Sequence, residues 1–273
     1  MELRLFRHLW GITEPWETLF PKIRSLGYSG IEHILPHLSD RDRFRSLLDA
    51  HGFEYIAQIV TNGESVEEHI RSYRRAVEEA RILRPRTINC HSGADWFTEE
   101  EARRYFSEAL DFEAKVGIHV AHETHRGRIL YNPWTTQRLL KEFPGLMLGC
   151  DFSHWVVVSE RLLDHEADII AASAERCLHI HARVGYEEGP QVPDPRAPEY
   201  ERHVLAHEAW WSMIWEAQRR RGVGESTLTP EFGAPDYMHT LPFTRKPVAD
   251  LWEVCNWQAE RQRARFIRWS GGG

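Results

Sequence analysis

The segment Cys177-Leu-His-Ile-His-Ala-Arg183 alternates apolar and polar side chains from its second residue onward. Successive side chains of a β-strand point to opposite faces of the sheet. One face of this strand is therefore apolar and comprises Leu178, Ile180 and Ala182. The other face is polar and comprises His179, His181 and Arg183. The alternation predicts a strand whose apolar side packs on helices and whose polar side points into an enclosed interior.

Short apolar runs of the same kind alternate with helix-like segments along the whole chain. They occur near 2–7, 29–34, 53–60, 86–91, 117–123, 146–151, 177–183 and 226–232. Strict alternation of strands and helices predicts a parallel sheet, and eight units in 273 residues favour closure into a single (β/α)8 TIM barrel. An open doubly wound sheet is the alternative, but no strand is followed by its Gly-rich phosphate loop.

Several helices are expected to begin at recognisable signals. Ser65 with Glu68, and Thr98 with Glu101, match the capping box, in which each side chain bonds the other residue's backbone N–H. Pro247 is expected to open the last helix, because a proline at the first helical position loses no hydrogen bond. The apolar stripe of that helix is expected to comprise Val248, Leu251, Trp252 and Cys255.

The sequence shows no repeat, linker or low-complexity tract, so one domain is expected over residues 1–273. The stretch 184–200 is the one long, Pro-rich connection, and it follows the seventh strand. Strand-to-helix connections usually have about 2–6 residues, and longer ones tend to be lids or binding loops. We therefore expect 184–200 to cover the mouth of the barrel and to be mobile without ligand.

The composition narrows the class of protein. A net charge of −7 argues against a nucleic-acid partner, since such binding needs a positive surface. The four cysteines lie far apart without a C-x-x-C pair, as in reduced cytosolic proteins. We find no signal peptide and no apolar run long enough to span a membrane, so a cytoplasmic protein is expected. Whether the chain forms a homo-oligomer is left open.

The same test of alternation places inward-facing polar residues at the ends of five strands: His91, Glu123, Asp151, His181 and Glu231. Barrel enzymes carry their sites at these strand ends. Buried carboxylates are costly unless they are paired or bound to a metal, and three of them would also repel one another. A divalent cation would remove both problems. Taken singly, each carboxylate could equally well pair with an arginine or cap the next helix.

Other inward or loop residues have simpler interpretations. His119 and His179 lie deeper in their strands and are expected to be hydrogen-bonded histidines of the core. Most of the eleven tryptophans are expected to pack in the core and between helices. Trp10, however, falls on a loop at the expected mouth, as do Trp96, Trp134 and Trp155.

Four motifs together resemble the xylose-isomerase-like superfamily of TIM barrels. They are HET at 122–124, DFSHW at 151–155, HIHAR at 179–183 and PEFG at 230–233. The superfamily includes sugar isomerases, ketose 3-epimerases, inosose dehydratases and nucleases of the endonuclease IV type. The resemblance extends over essentially the whole chain in the order of its units.

The resemblance implies specific roles for the strand-end residues. In the epimerase branch one metal is held from strands five to eight, which implies the ligands Glu123, Asp151, His181 and Glu231. The two glutamates would also be the catalytic residues that remove and return a proton. The histidine three residues after the aspartate binds substrate in that branch, which implies this role for His154. Arg183 is the nearest candidate for a substrate-binding arginine.

The chain departs from that branch just after the strand-five glutamate. Epimerases place a further carboxylate there, whereas this chain has the basic stretch Thr124-His-Arg-Gly-Arg128. His125 and Arg126 would suit a substrate that carries a phosphate or carboxylate, or they pair with surface acids, and both interpretations stay open. His91 and Trp10 complete the predicted substrate-binding residues at the mouth.

Three carboxylates and one imidazole form an oxygen-rich ligand set that suits Mn²⁺ or Mg²⁺ and is compatible with Co²⁺ or Zn²⁺. Together with the resemblance, such a site implies an isomerase or epimerase of a sugar or sugar phosphate, acting through proton abstraction next to a carbonyl and an enediolate. A lyase that dehydrates a keto-sugar or keto-inositol is the alternative on the same site. A nuclease would need further ligands, for which His91 and His33 are available, and a sugar-binding barrel without catalysis is the remaining option.

Overall fold

The computed structural model describes residues 1–271. Eight parallel strands close into a barrel in which each strand pairs with the next and the eighth pairs with the first. The strands are β1 (Glu2–His8), β2 (Gly30–Ile34), β3 (Glu54–Val60), β4 (Thr87–His91), β5 (Val120–Glu123), β6 (Leu148–Cys150), β7 (Cys177–His181) and β8 (Glu225–Thr229). Each lies where an apolar run predicts it, and the single (β/α)8 TIM barrel is confirmed.

Helices cover the outside of this barrel. They are α1 (Trp16–Ser25), α2 (Arg41–His51), α3 (Val66–Ile82), α4 (Glu99–Val116), α5 (Pro133–Glu142), α6 (Ser153–Ser159), α7 (Ala167–Ala174), α8 (Glu201–Arg220) and α9 (Leu251–Gly271). Two of them, α6 and α7, lie between β6 and β7. Within residues 1–271, none of the helices combines the length and the apolar character needed to cross a membrane.

The predicted helix starts are partly correct. Thr98 and Glu101 form the full capping box at the start of α4. At the start of α3, Ser65 accepts a hydrogen bond from the backbone N–H of Glu68, as expected. The Glu68 carboxylate, however, accepts from the backbone N–H of Glu64 instead of closing the box on Ser65. The capping box predicted at Ser65 and Glu68 is therefore only half formed.

The predicted start of the last helix is wrong. Pro247 pairs with Thr240 in an isolated antiparallel bridge, and the helix begins four residues later at Leu251. The carboxylate of Asp250 accepts a hydrogen bond from the backbone N–H of Glu253 and so caps the true first turn. Val248 lies before the helix and is exposed, so it does not belong to the buried stripe.

The inner face of β7 follows the predicted alternation. His179 is fully buried, with its Nδ1 atom 2.8 Å from the hydroxyl oxygen of Thr227, so its assignment to the core is confirmed. The same expectation for His119 is wrong, because β5 begins only at Val120 and His119 is exposed before it. The four cysteines are buried free thiols, as predicted.

Candidate metal centre

The four predicted metal ligands meet at the carboxyl ends of β5 to β8. Glu123 ends β5, Asp151 directly follows β6, His181 ends β7, and Glu231 lies two residues beyond β8. One ligand atom from each residue lies within 4.8 Å of every other, and all four residues are buried. The alternation of side chains along each strand thus brings the four groups to one point.

Three of these residues aim an unpartnered polar atom at that point. Oε1 of Glu123, Oδ2 of Asp151 and Nδ1 of His181 are buried and make no hydrogen bond. Nδ1 of His181 lies 2.7 Å from Oε2 of Glu231, but the contact does not meet the angular requirement of a hydrogen bond. Buried polar atoms without partners are rare and costly. Carboxylate oxygens with one imidazole nitrogen fit a hard divalent cation.

The remaining oxygen of each of two carboxylates is fixed by protein donors. Oε2 of Glu123 accepts a hydrogen bond from Nδ2 of Asn89 at 2.5 Å and lies 2.8 Å from Nε2 of His91. Oδ1 of Asp151 accepts from the backbone N–H and the hydroxyl of Ser153 at 3.0 and 2.5 Å. Because one oxygen of each group is held, the other is left free and directed at the common point.

Arg183 lies against the same carboxylates. Its Nη2 donates to Oε2 of Glu231 at 2.6 Å, and its Nε lies 3.2 Å from Oδ2 of Asp151. The guanidinium carbon is 4.7 Å from the ring centre of Tyr237 and 5.7 Å from that of Trp10. The buried guanidinium of Arg183 is therefore a positive counter-charge for the four predicted ligands (the ligand group), and it packs between two aromatic rings.

The charges of the site shift its titration strongly. Burial alone would raise the pKa of Glu231, but the charges of Arg183 and His181 outweigh it and lower the pKa to about 2. Burial raises the pKa of Asp151 to about 7, with the carboxylates of Glu231 and Glu123 reinforcing the shift against Arg183. Burial opposes protonation of His181, yet the nearby carboxylates raise its pKa well above the usual range. Without a metal cation, protons bound to Asp151 and His181 neutralise part of the negative charge of the site.

Three histidines form a column beside the ligand group. The ring centres of His91 and His125 are 4.2 Å apart, and those of His125 and His154 are 3.9 Å apart. His125 donates from Nδ1 to the backbone carbonyl of Arg126, which leaves its Nε2 as an acceptor. Burial, reinforced by His91, lowers the pKa of His125 to about 3, so its ring is neutral. Both ring nitrogens of buried His154 lack hydrogen-bond partners.

A cavity of about 300 Å³ opens next to the four residues. Its lining combines histidines, aromatic rings and the charged groups of the centre: His8, Trp10, Glu32, His33, Ile34, Gln58, His91, His125, Arg183, Glu231 and Tyr237. A concave site with a few convergent polar groups is the usual form of a small-molecule site.

Comparison with known proteins shows the family of the chain. The family described as xylose isomerase-like TIM barrel matches residues 20–219 of the chain. The chain belongs to this family. A comparison with proteins of curated function gives no significant match.

Solved structures similar to this xylose isomerase-like barrel share its fold at low identity. A xylose isomerase-like TIM barrel protein from Mycobacterium smegmatis in complex with magnesium is 13% identical, with 94% of both chains covered and a TM-score of 0.64. A probable 3-DHS dehydratase involved in petrobactin synthesis from Bacillus anthracis is 13% identical, covering 94% of this chain and 97% of its own, with a TM-score of 0.62. A sugar phosphate isomerase/epimerase from Parabacteroides distasonis is 10% identical over 98% of both chains, with a TM-score of 0.61.

Only some of the predicted substrate-binding residues of this xylose isomerase-like barrel line the cavity. Trp10, His91, His125 and Arg183 line the cavity, whereas His154 stacks behind His125. Arg126 is exposed and packs its guanidinium over Tyr237 at 5.1 Å, with no carboxylate partner in the described part of the chain.

Arg128 of the same basic stretch has a structural role. Its Nη1 donates to the backbone carbonyls of Thr61 and Gly93, both at 3.0 Å. It therefore ties together the connections that follow β3 and β4. It neither pairs with a surface acid nor lines the cavity.

The stretch 184–200 does not lie where a cover of the cavity is expected, and its mobility stays a prediction. None of its residues lines the cavity, and much of it is buried. The side chain of Gln191 donates to the carbonyl of Gly233 at 3.3 Å and accepts from its N–H at 2.6 Å. This loop supports, from outside, the segment after β8 that carries Tyr237 into the cavity. Long-range pairing of this kind leaves no local signal in the sequence.

Sequence reasoning missed several residues of the site. Tyr237 lies in an irregular segment without periodicity, so no pattern indicated it. Glu32 faces inward from β2 and was within reach of the alternation test, because its neighbour Ile31 is an outward core residue. Asn89 lies two residues before His91 and therefore on the same inner face of β4, but its hydrogen bond to Glu123 joins two different strands and leaves no local signal.

Proposed function

We propose that this protein is a divalent-metal-dependent isomerase or epimerase of a sugar or sugar phosphate. The observation that supports this most directly is the convergence of four buried ligand groups, three with an unpartnered atom, beside a cavity of about 300 Å³. The proposed ligands are Glu123, Asp151, His181 and Glu231. Mn²⁺ or Mg²⁺ is the proposed cation, in keeping with the oxygen-rich ligand set.

The proposed reaction begins by removing a proton from a carbon next to a carbonyl. A divalent cation in this centre would supply Lewis acidity, which polarises a carbonyl and acidifies the neighbouring C–H. Glu123 and Glu231 reach the centre from β5 and from beyond β8, so one carboxylate takes the proton and the other returns it. The imidazole of His91 beside Glu123 and the guanidinium of Arg183 bonded to Glu231 make these carboxylates weak bases, which suits a strongly acidified carbon.

Cavity side chains would orient the substrate. His125 offers a neutral Nε2 acceptor, and His91 lies beside Glu123 at the cavity wall. Trp10 and Tyr237 pack edge to face with ring centres 4.9 Å apart and provide an apolar surface for the C–H face of a sugar. Arg126, which lacks an acidic partner, suits a substrate that carries a phosphate or carboxylate.

A lyase is the second candidate. It would use the same first proton transfer and then expel a hydroxyl group from the adjacent carbon, which requires a proton donor near the leaving oxygen. His91 favours this alternative because it lines the cavity and its Nε2 lies 2.8 Å from the carboxylate of Glu123.

Exchange with deuterated water tests the proposal. The protein is incubated with Mn²⁺ and a panel of ketoses, keto-sugars and their phosphates, and carbon-bound deuterium is measured by NMR. Deuterium in an epimer or isomer supports the first candidate, and deuterium with a dehydrated product supports the lyase. Conversion without deuterium would contradict the proton route and favour a hydride shift. Cleavage of abasic DNA with inert sugars would reassign the protein as a nuclease.

Two variants sharpen this experiment. Glu231→Gln should abolish exchange, because it removes a proposed proton carrier and ligand. Glu225→Gln changes a glutamate at the opposite end of β8, where the carboxylate bonds Arg4 and Arg86, and should leave exchange unchanged. Undiminished exchange in Glu231→Gln would remove Glu231 from the mechanism.

A further inference from the structure

The buried carboxylate of Glu32 lies on the far side of His181 from the four-residue centre. Glu32 projects inward from β2 and is only 2% exposed. Its Oε1 atom is 2.8 Å from Nε2 of His181. The other ring nitrogen, Nδ1, is the atom that faces Glu123 and Glu231. The imidazole therefore stands between a carboxylate on one side and the ligand group on the other.

This arrangement fixes the tautomer of the ring. A carboxylate only accepts hydrogen bonds, so Nε2 of His181 must carry the proton that Glu32 receives. A histidine that binds a metal is neutral, with one N–H and one lone pair, so in the cation-bound form the lone pair of His181 lies on Nδ1. That lone pair points to the position where Oε1 of Glu123 and Oδ2 of Asp151 also converge without partners.

The second oxygen of Glu32 is held as well. Oε2 accepts from the hydroxyl of Thr229 at 2.5 Å and lies 3.2 Å from Nε2 of His179. Neither Glu32 oxygen is left without a hydrogen-bond partner. Glu32, His179 and His181 lie close enough to hold a cation themselves, but their atoms already satisfy one another. The polar atoms without hydrogen-bond partners are those of Glu123, Asp151 and Nδ1 of His181, at the proposed metal centre.

We propose that Glu32 is a positioning residue of the metal centre, which holds Nε2 of His181 protonated and so presents Nδ1 to the cation. The inference rests on the proposed metal centre. A histidine ligand that donates its second N–H to a carboxylate is fixed in orientation and becomes a stronger donor. Removing such a partner typically costs about 10–100-fold in metal affinity.

The test measures Mn²⁺ binding by isothermal titration calorimetry in the full-length protein. Glu32→Ala should bind Mn²⁺ about 10–100-fold more weakly than the unaltered protein. Glu32→Gln should lose less, because the amide oxygen still accepts the Nε2–H and the side chain keeps its volume. This isosteric variant also keeps the test informative if the alanine variant does not fold.

Glu113→Gln is the matched control. Glu113 is also a buried glutamate, only 7% exposed, and it bonds Nε2 of His122 at 3.0 Å outside the barrel lumen. Its replacement should lower thermal stability without changing the Mn²⁺ affinity. If Glu32 had only a structural role, the Glu32 variants would behave in the same way.

NMR of the imidazole nitrogens measures the tautomer of His181 directly. In the Mg²⁺-loaded protein with ¹⁵N-labelled histidine, NMR should show Nε2 of His181 protonated, and this signal should change in Glu32→Ala. Mn²⁺ affinity within twofold of the unaltered protein in a folded Glu32→Ala variant would overturn the proposal. Two Mn²⁺ ions per chain, one lost with Glu32, would overturn it in favour of a second metal site. No Mn²⁺ binding by the unaltered protein would instead overturn the metal centre itself.

Discussion

Replacing Arg183 by methionine should make the stability of the protein depend on the cation. Arg183 is 2% exposed and bonds Glu231 at 2.6 Å, beside Asp151 at 3.2 Å. Removing one partner of a buried ion pair leaves an uncompensated charge and costs about 3–5 kcal/mol. In EDTA, Arg183→Met should therefore lose about 3–5 kcal/mol of unfolding free energy, or about 6–10 °C in Tm at about 2 °C per kcal/mol.

Excess Mn²⁺ should restore most of this loss, because the cation supplies the missing positive charge. A ligand present at 1,000 times its Kd stabilises the folded state by about 4.1 kcal/mol. The gain should be larger in Arg183→Met than in the unaltered protein, since the metal-free variant starts from a less stable state. Calorimetric scans with EDTA and with Mn²⁺ measure both gains.

The control for this prediction is Arg261→Met. Arg261 bonds Glu208 with two hydrogen bonds of 2.7 and 2.9 Å between α8 and α9, away from the proposed metal centre. This variant should lose the same stability with and without Mn²⁺. A Mn²⁺-dependent gain in Arg183→Met no larger than that of the unaltered protein would refute the view that Arg183 is a counter-charge of the centre.

Three further predictions concern residues outside the four proposed ligands. Gly233→Ala places a Cβ atom 2.1 Å from the ring of Trp10, so KM should rise while Mn²⁺ affinity, measured by calorimetry, stays unchanged. Gln191→Ala leaves the backbone of Gly233 unpaired and should cost about 1–3 kcal/mol in urea denaturation, whereas a mobile lid would give no loss. Burial lowers the pKa of His207 to about 3, so the unfolded chain takes up a proton below about pH 6.5 while the folded chain does not. His207 should then contribute about 1.4 kcal/mol of lost stability per pH unit as the pH drops from 6.5 toward 3, and His207→Gln should reduce the overall slope by that amount in denaturation at several pH values.

The alternation of side chains along strands predicted that inward polar residues of five strand ends meet at the mouth of a barrel. The choice of Glu123, Asp151, His181 and Glu231 as metal ligands came from the resemblance to xylose-isomerase-like barrels and stays a prediction. The same local rule could not show that Arg183 pairs with Glu231, because that contact joins side chains 48 residues apart. It could not place Tyr237 either, since side chains of an irregular segment do not alternate regularly between two faces.

The stretch 184–200 shows how composition alone can mislead. Its prolines and its length are typical of exposed loops, which led to the expectation of a mobile lid. The decisive contact joins Gln191 to Gly233, 42 residues further along the chain. The start of α9 was misplaced for a similar reason, because Pro247 pairs with Thr240 in a bridge that the local sequence does not announce.

The closure of the barrel between β1 and β8 has a consequence for the order of events during synthesis. Glu2 pairs with Glu225, so the two strands are joined only after more than 200 residues have left the ribosome. Until then Trp10 lacks its partner Tyr237, and the ligand group lacks Glu231. A nascent chain that ends before β8 would expose unpaired strand edges, which invite aggregation. The proposed cation site, whose ligands come from β5 to β8, is therefore complete only when this last strand has joined the sheet.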